Sequence, residues 1–240
     1  MDRLTYTLED QALMARAPNY FAWQARLIVP KVGRRVVEVG CGTGNFTRHL
    51  LGRELVIALD IEAACVERLR QRYAGRADLR TFVCSPGDAA FADLARFRPD
   101  SCVCINVLEH IEDDAGALRG MAAILPAGGV IVLLVPAFPA LYGPIDRHLD
   151  HSRRYTRASL RRLAAAEGLT VAKLRYMNMV GFFGWWANAR IFRRQAQSAG
   201  QIALFDRCVV PVMSRVESVV APPFGQSLLA VLRKGSEPRP

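Results

Sequence analysis

Residues 36–47, read as Val-Val-Glu-Val-Gly-Cys-Gly-Thr-Gly-Asn-Phe-Thr, constrain this chain more than any other segment. A β-branched run that halts at three alternating glycines reads as a buried strand ending in a tight turn. Glycine at 40, 42 and 44 bares the main chain, so a ligand can approach it closely.

The rest of the chain supplies the partners such a strand needs. Arg35–Val39 begins the series, Asn45–Leu51 is expected as a helix, and Leu55–Leu59 as a second strand ending at Asp60. Glu62–Tyr73 reads as an amphipathic helix, Leu79–Cys84 as a third strand and Ser101–Ile105 as a fourth. A helix over Glu112–Leu125 and a Pro-Ala-Gly-Gly turn lead into an apolar fifth strand, Val130–Val135. Alternation of this kind implies βαβ units and a parallel sheet covered on both faces, an α/β fold. Beyond Pro136 follow a Pro/Gly-rich connection, a helix Thr156–Glu167, a sixth strand Leu169–Tyr176, a long helical stretch Met177–Phe224 and a last strand Ser227–Arg233. The expected organisation is one domain over 1–240. It comprises a helical cap (1–34), a core (35–176), a helical insertion (177–225) and the closing strand (226–235).

With 51% hydrophobic residues among 240, the chain is not a disordered one. Its formal charge is +10, yet 29 of the 32 basic residues are Arg, a bias that coding composition alone can produce. The excess concentrates between Arg147 and Arg194, with eleven basic residues against Asp150 and Glu167. Such a stretch attracts nucleic acid, anionic lipid or an acidic substrate, or simply solvates a helix face. The six cysteines form no C-x-x-C pair and no Cys/His group with zinc spacing, so no metal is expected. A reduced, cytoplasmic setting fits that usage. The N-terminal residues show no apolar signal core, and VIVLLVPAF and MVGFFGWW are too short to cross a bilayer.

Acidic residues sharpen the reading of the glycine turn. A dinucleotide fingerprint needs glycine or alanine at 45, where this chain has Asn45. Glu38, two residues before Gly40, would repel a pyrophosphate but attract a ligand that carries an ammonium and a sulfonium. Asp60 stands at a strand end, where a carboxylate accepts from ribose hydroxyls. Asp88, in Ser-Pro-Gly-Asp-Ala-Ala-Phe, can accept from an adenine amino group or serve as an ordinary cap.

These segments together resemble the class I S-adenosylmethionine (SAM)-dependent methyltransferases. EVGCGTG is similar to their first motif, ALDIE to the ribose-binding turn, GDAAF to the adenine turn, CINVLEHIEDD to the fourth-strand motif and LPAGGVIVLLVP to the fifth. The resemblance implies a Rossmann-like, seven-stranded, mostly parallel sheet with an antiparallel last strand, helices on both faces and a helical lid between strands six and seven. It implies SAM as donor and S-adenosylhomocysteine as product. Cofactor contacts would come from Glu38, Gly40, Cys41, Gly42 and Gly44, from Asp60 and Ile61, from Asp88 and Ala89, and from Asn106. The chain is most similar to small-molecule methyltransferases of the methyltransferase-11/12 type. Asn19-Tyr20-x-x-Trp23 matches an early element of one subgroup, and Asp146-x(3)-Asp150-His151-x-Arg153-Arg154-Tyr155 matches a later one, with Asp150 in place of its glycine.

Within that frame His110, His148 and His151 are the candidate proton acceptors, because imidazole titrates close to neutral pH. His110 also reads as a capping or packing residue at the start of the next helix. Arg153 and Arg154 could form a fork for a carboxylate or phosphate, or pair with Asp146 or Asp150. Tyr20, Tyr142, Tyr155 and Trp185 are the remaining candidate acceptor contacts. The aromatic-then-basic run from Phe182 through Trp186 to Arg190, Arg193 and Arg194 reads as a lid, an interfacial membrane element or a dimer contact. The expected acceptor is a small molecule, O-methylated, with a hydrophobic or acidic body, and the expected assembly is a monomer or homodimer. An RNA methyltransferase and a SAM-binding protein without transfer are the alternatives. Against RNA stands the lack of an appended RNA-binding module.

Overall fold

The structure, a computed structural model, describes residues 8–193 and 198–235. Residues 1–7 of the N-terminal lead-in, and Arg194, lie outside the described residues. In chain order the elements are α1 (Leu8–Met14), α2 (Pro18–Ile28), β1 (Arg35–Val39), β2 (Leu55–Asp60), α3 (Ala63–Arg72), β3 (Leu79–Val83), α4 (Ala89–Ala92) and β4 (Ser101–Ile105). There follow α5 (Asp114–Ala123), β5 (Val130–Pro136), α6 (Pro144–His148), α7 (Arg157–Ala166), β6 (Leu169–Met177), α8 (Met179–Ala187), α9 (Ala199–Leu204), α10 (Val210–Val219) and β7 (Ser227–Lys234).

The seven strands form one sheet in the order β3-β2-β1-β4-β5-β7-β6. β1 to β5 pair in parallel, and β7 lies antiparallel between β5 and β6. Strict alternation along each strand explains the two-sided burial. Val37, Ile57, Cys102 and Ile131 face Leu118 and Met121 of α5 and Leu160 of α7. Val36, Val56, Val103 and Val132 face Trp23 and Ile28 of α2, Leu69 of α3 and Val210 of α10. The expected seven-stranded α/β architecture is the one observed.

One expected element is replaced. Asn45–Leu51 forms turns and a single 3₁₀ stretch, Thr47–His49, instead of an α-helix. Gly44 and Gly52, both at positive φ, bound a segment too short to offset helix nucleation, and the Asn45 Nδ2 donates to the carbonyl of Gln11 (3.0 Å). This binds the glycine turn to α1.

The insertion between β6 and β7 is fastened to the N-terminal helices through Asp206. Helix α2 begins with Pro18 and receives no side-chain cap from its own N-cap residue Ala17. Buried Asp206 supplies it from the insertion, accepting from the amides of Tyr20 (2.8 Å) and Asn19 (3.2 Å) and from Asn19 Nδ2 (3.1 Å). The Asn-Tyr-x-x-Trp element therefore works as a clamp, with Trp23 in the core. Asp206→Ala should cost about 2–3 kcal/mol, the range for hydrogen bonds to a charged group that leave buried donors unpaired. A denaturant titration with an unchanged midpoint would contradict this capping role.

Candidate functional site

The carboxyl ends of β1, β2 and β4 stand side by side, with Glu38 in register with Ala58 and Val103. Over them opens a cavity of about 790 Å³, within the range that encloses a small organic ligand. At one end it is lined by Glu38, Gly40, Cys41, Asp60, Ile61 and Asn106, and at the other by Glu109, His110, His148, His151, Arg154 and Trp185. Asp10, Gln11, Leu13 and Met14 of α1, Gln24 of α2, and Ile202 and Phe205 of the insertion complete its walls.

At the glycine end the turn is held by β2. The amides of Gly40 and Cys41 both donate to the Leu59 carbonyl (2.8 and 2.9 Å). Gly40 has φ +74°, and a Cβ there would collide with Val107, so only glycine fits. Asp60 orients the loop and its own strand end, with Oδ2 accepting from Gly42 N (2.8 Å) and Oδ1 from Glu62 N (3.0 Å). Asn106 takes a left-handed backbone (φ 50°) on the cavity wall, a conformation Asn tolerates better than most residues.

Glu38 is the unusual group. It is 3% exposed, and its Oε2 accepts no hydrogen bond. Burial, reinforced by the nearby Asp60 charge, pushes its carboxyl up to about 8. A buried acid in that condition favours a cationic partner, and the ammonium of a SAM molecule answers it. Asp60 would hold the ribose and Glu38 the methionine end.

The far end is built around Asp146, which is fully buried. Its Oδ1 accepts from His151 Nδ1 (2.9 Å) and Arg154 Nε (2.7 Å), and its Oδ2 from Gly143 N (2.9 Å) and Trp185 Nε1 (3.3 Å). Burial works upward on this carboxyl, but the His151 and Arg154 contacts bring it below its ordinary value. The Arg154 guanidinium also lies over the Trp185 ring, 4.9 Å from the centroid. Because Asp146 takes the His151 Nδ1, the other ring nitrogen, Nε2, is turned to Glu109, 4.0 Å from its Oε1. The His110 ring meets that of His151 edge-on at 4.7 Å. Burial, and then the His151 charge, lower His110 to about 4, so its imidazole is neutral near pH 7.

Several expected contacts are placed elsewhere. Gly42 and Gly44 shape the loop without lining the cavity, and the Gln11 side chain lies over Gly42. Asp88 and Ala89 are also outside the lining; the Asp88 carboxylate closes its own turn on Ser85 N (2.7 Å). The Arg153–Arg154 fork does not form, because Arg153 pairs outward with Asp114 (2.8 Å) while Arg154 turns inward to Asp146. Tyr155 is a core residue whose hydroxyl donates to Asp114 (2.8 Å), and Tyr142 donates to the His151 carbonyl (2.7 Å). Neither tyrosine reaches the cavity. Tyr20 and Trp185 do line it or border it as expected, and His148 stands exposed on its wall. Asp150, in place of a glycine, adopts φ 55°, so the turn keeps its left-handed residue.

A family model described as a methyltransferase domain matches residues 7–174, most of the chain. The chain belongs to the class I SAM-dependent methyltransferase family. An uncharacterized methyltransferase of Mycobacterium bovis is 31% identical over 115 residues, 48% of this chain and 56% of that protein. A ubiquinone biosynthesis O-methyltransferase of Xanthomonas axonopodis pv. citri is 35% identical over 106 residues, 42% of each chain. The chain thus spans about half the length of the curated relatives it matches. Among solved structures, a SAM-dependent methyltransferase from Mesorhizobium loti superimposes with a TM-score of 0.57 at 17% identity, covering 97% of this chain and 100% of that one.

Because Glu38 keeps its proton at pH 7 when no cation is beside it, and the ionised form is favoured beside an ammonium, binding of SAM at pH 7 should release close to one proton. Calorimetry in buffers of different ionisation enthalpy reads this number directly. Glu38→Gln should abolish the release and weaken binding at least tenfold; a wild-type release of zero would show that Glu38 does not face the cation.

Proposed function

We propose that this methyltransferase transfers the SAM methyl group to an oxygen of a small molecule. The observation that carries the reading is one continuous cavity, with the carboxylate nest of Glu38 and Asp60 at one end and the Glu109–His110–His151 group at the other. Bound SAM supplies an electrophilic methyl: an O–CH₃ bond forms while the S–CH₃ bond breaks, and its electron pair goes to sulfur. The chain's own task is to hold the nucleophile in line and to take its proton, the first of which can contribute about 7–11 kcal/mol in well-oriented cases.

The side chains fit that task. Glu38 and Asp60 fix the donor. Trp185, Leu149, Phe192 and Ile202 offer apolar walls to the acceptor. His151, oriented by Asp146, and neutral His110 present nitrogen lone pairs where a hydroxyl must lose its proton. His148 is suited to pass that proton to water, being exposed at the wall. Helices α8 and α9 act as the lid.

The basic stretch counts against RNA as the acceptor. Arg153 and Arg154 are engaged by Asp114 and Asp146, and Arg175 and Arg190 donate to the carbonyls of Glu217 and Ala140. Arg153 and Arg154 are thereby neutralised within the molecule, whereas Arg190 keeps its charge at the surface.

A ¹³C-methyl SAM incubation with fractionated cell extract tests the proposal. Label should appear as methoxy carbon in the low-molecular-weight fraction and disappear with Asp60→Ala. Label confined to RNA or protein would overturn the small-molecule reading, and sub-micromolar tRNA binding at physiological salt would point to RNA.

A further inference from the structure

Glu109 is costly to bury as it stands. It is 0% exposed, neither carboxylate oxygen accepts a hydrogen bond, and the residue lines the cavity. A buried carboxyl whose oxygens meet no donor is unfavourable, and its ionised form is stabilised where a cation meets it. Arg154, the nearest strong cation, is committed through Nε to Asp146 and through Nη1 to the Ala137 carbonyl (3.0 Å).

The neighbours of Glu109 are not donors but further ligands. Nitrogen atoms of His110 and His151 and an oxygen of Glu109 all lie within 4.8 Å of one another. Ligands about 2.1 Å from an ion stand about 3.4 Å apart in a tetrahedral arrangement, so this set closes on an ion by side-chain rotation alone. The Asp146–His151 hydrogen bond leaves Nε2 free and aimed at the group, which is the carboxylate–histidine support that ligating imidazoles commonly have.

The geometry points to a divalent transition-metal site formed by Glu109, His110 and His151 at the acceptor end of the cavity. Two imidazoles and one carboxylate suit Mn²⁺, Fe²⁺, Co²⁺ or Zn²⁺ better than Mg²⁺ or Ca²⁺, which prefer oxygen. Three protein ligands leave positions open toward the cavity. This inference rests on the oxygen-acceptor reading for its role: an acceptor hydroxyl bound there loses its proton to water more readily, and the resulting oxygen takes the methyl group. His151 then acts as a ligand rather than as a base, and the acceptor's proton goes to water.

The test uses the untagged full chain, stripped with a chelator, and titrates MnCl₂, CoCl₂ and ZnCl₂ by calorimetry, with Co²⁺ absorption to report nitrogen ligands. We expect one saturable site. Glu109→Gln and His151→Ala should each weaken it at least tenfold, and Asp146→Asn about 10–100-fold through loss of the support. S-adenosylhomocysteine affinity should be unchanged in Glu109→Gln, which shows that the variant is folded. Wild-type protein that binds S-adenosylhomocysteine but no ion would overturn the site, as would an ion whose affinity ignores both substitutions. If metal-stripped protein methylates a small molecule at the undiminished rate, the metal inference fails and the function stands. If the ion binds at Glu109 but no small molecule is methylated, the function fails and the site stands.

Discussion

Two glutamates set the character of this molecule. Glu38 ends β1 and Glu109 follows β4, so adjacent parallel strands deliver both to one cavity. Each is buried, each has oxygen without a hydrogen bond, and burial raises each to about 8. Folding has left two carboxylates without partners in a low-dielectric space, where a cation is worth far more than at the surface. The parallel sheet places them there, because strands of an open α/β fold carry their ligand crevice at their carboxyl ends.

Around these acids the chain arranges fixed supports. Asp60 takes two loop amides and thereby shapes the backbone that a nucleoside meets. Asp146 gathers an imidazole, a guanidinium, an indole and an amide, so that α6, the segment between α6 and α7, and α8 are joined at one buried oxygen pair. Asp206 joins the insertion to α2. Three aspartates thus act as nodes, each joining separate segments of the chain. Among the described residues no helix is long and apolar enough to cross a membrane, and Phe183 and Trp186 of α8 are exposed.

The strands were legible because periodicity two and β-branched runs speak directly of burial on both faces: β1 and β4 occupy the residues expected of them. Glycine spacing and Glu38 marked the turn at the end of β1 that borders the cavity, since their meaning is local to one turn. What required three dimensions was everything set by distant partners. Arg153 and Arg154 are adjacent in sequence, but a bridge between Ala137 and Tyr155 turns one outward and the other inward. Asn45–Leu51 has a helix-compatible composition, yet bounding glycines and the Gln11 contact keep it in turns. The roof formed by α1 carries no motif at all. Glu109 was visible only as an acid beside His110, and its partner His151 lies 42 residues further on, beyond the reach of any metal-ligand spacing rule.

The account rests on buried carboxylates that select a cationic nucleoside at the strand ends, and a crystal soaked with S-adenosylhomocysteine examines this directly. The ligand should lie with its ammonium on Glu38 and its ribose hydroxyls on Asp60, its sulfur toward His110. Ordered NAD in that place, with S-adenosylhomocysteine absent at saturating concentration, would contradict it.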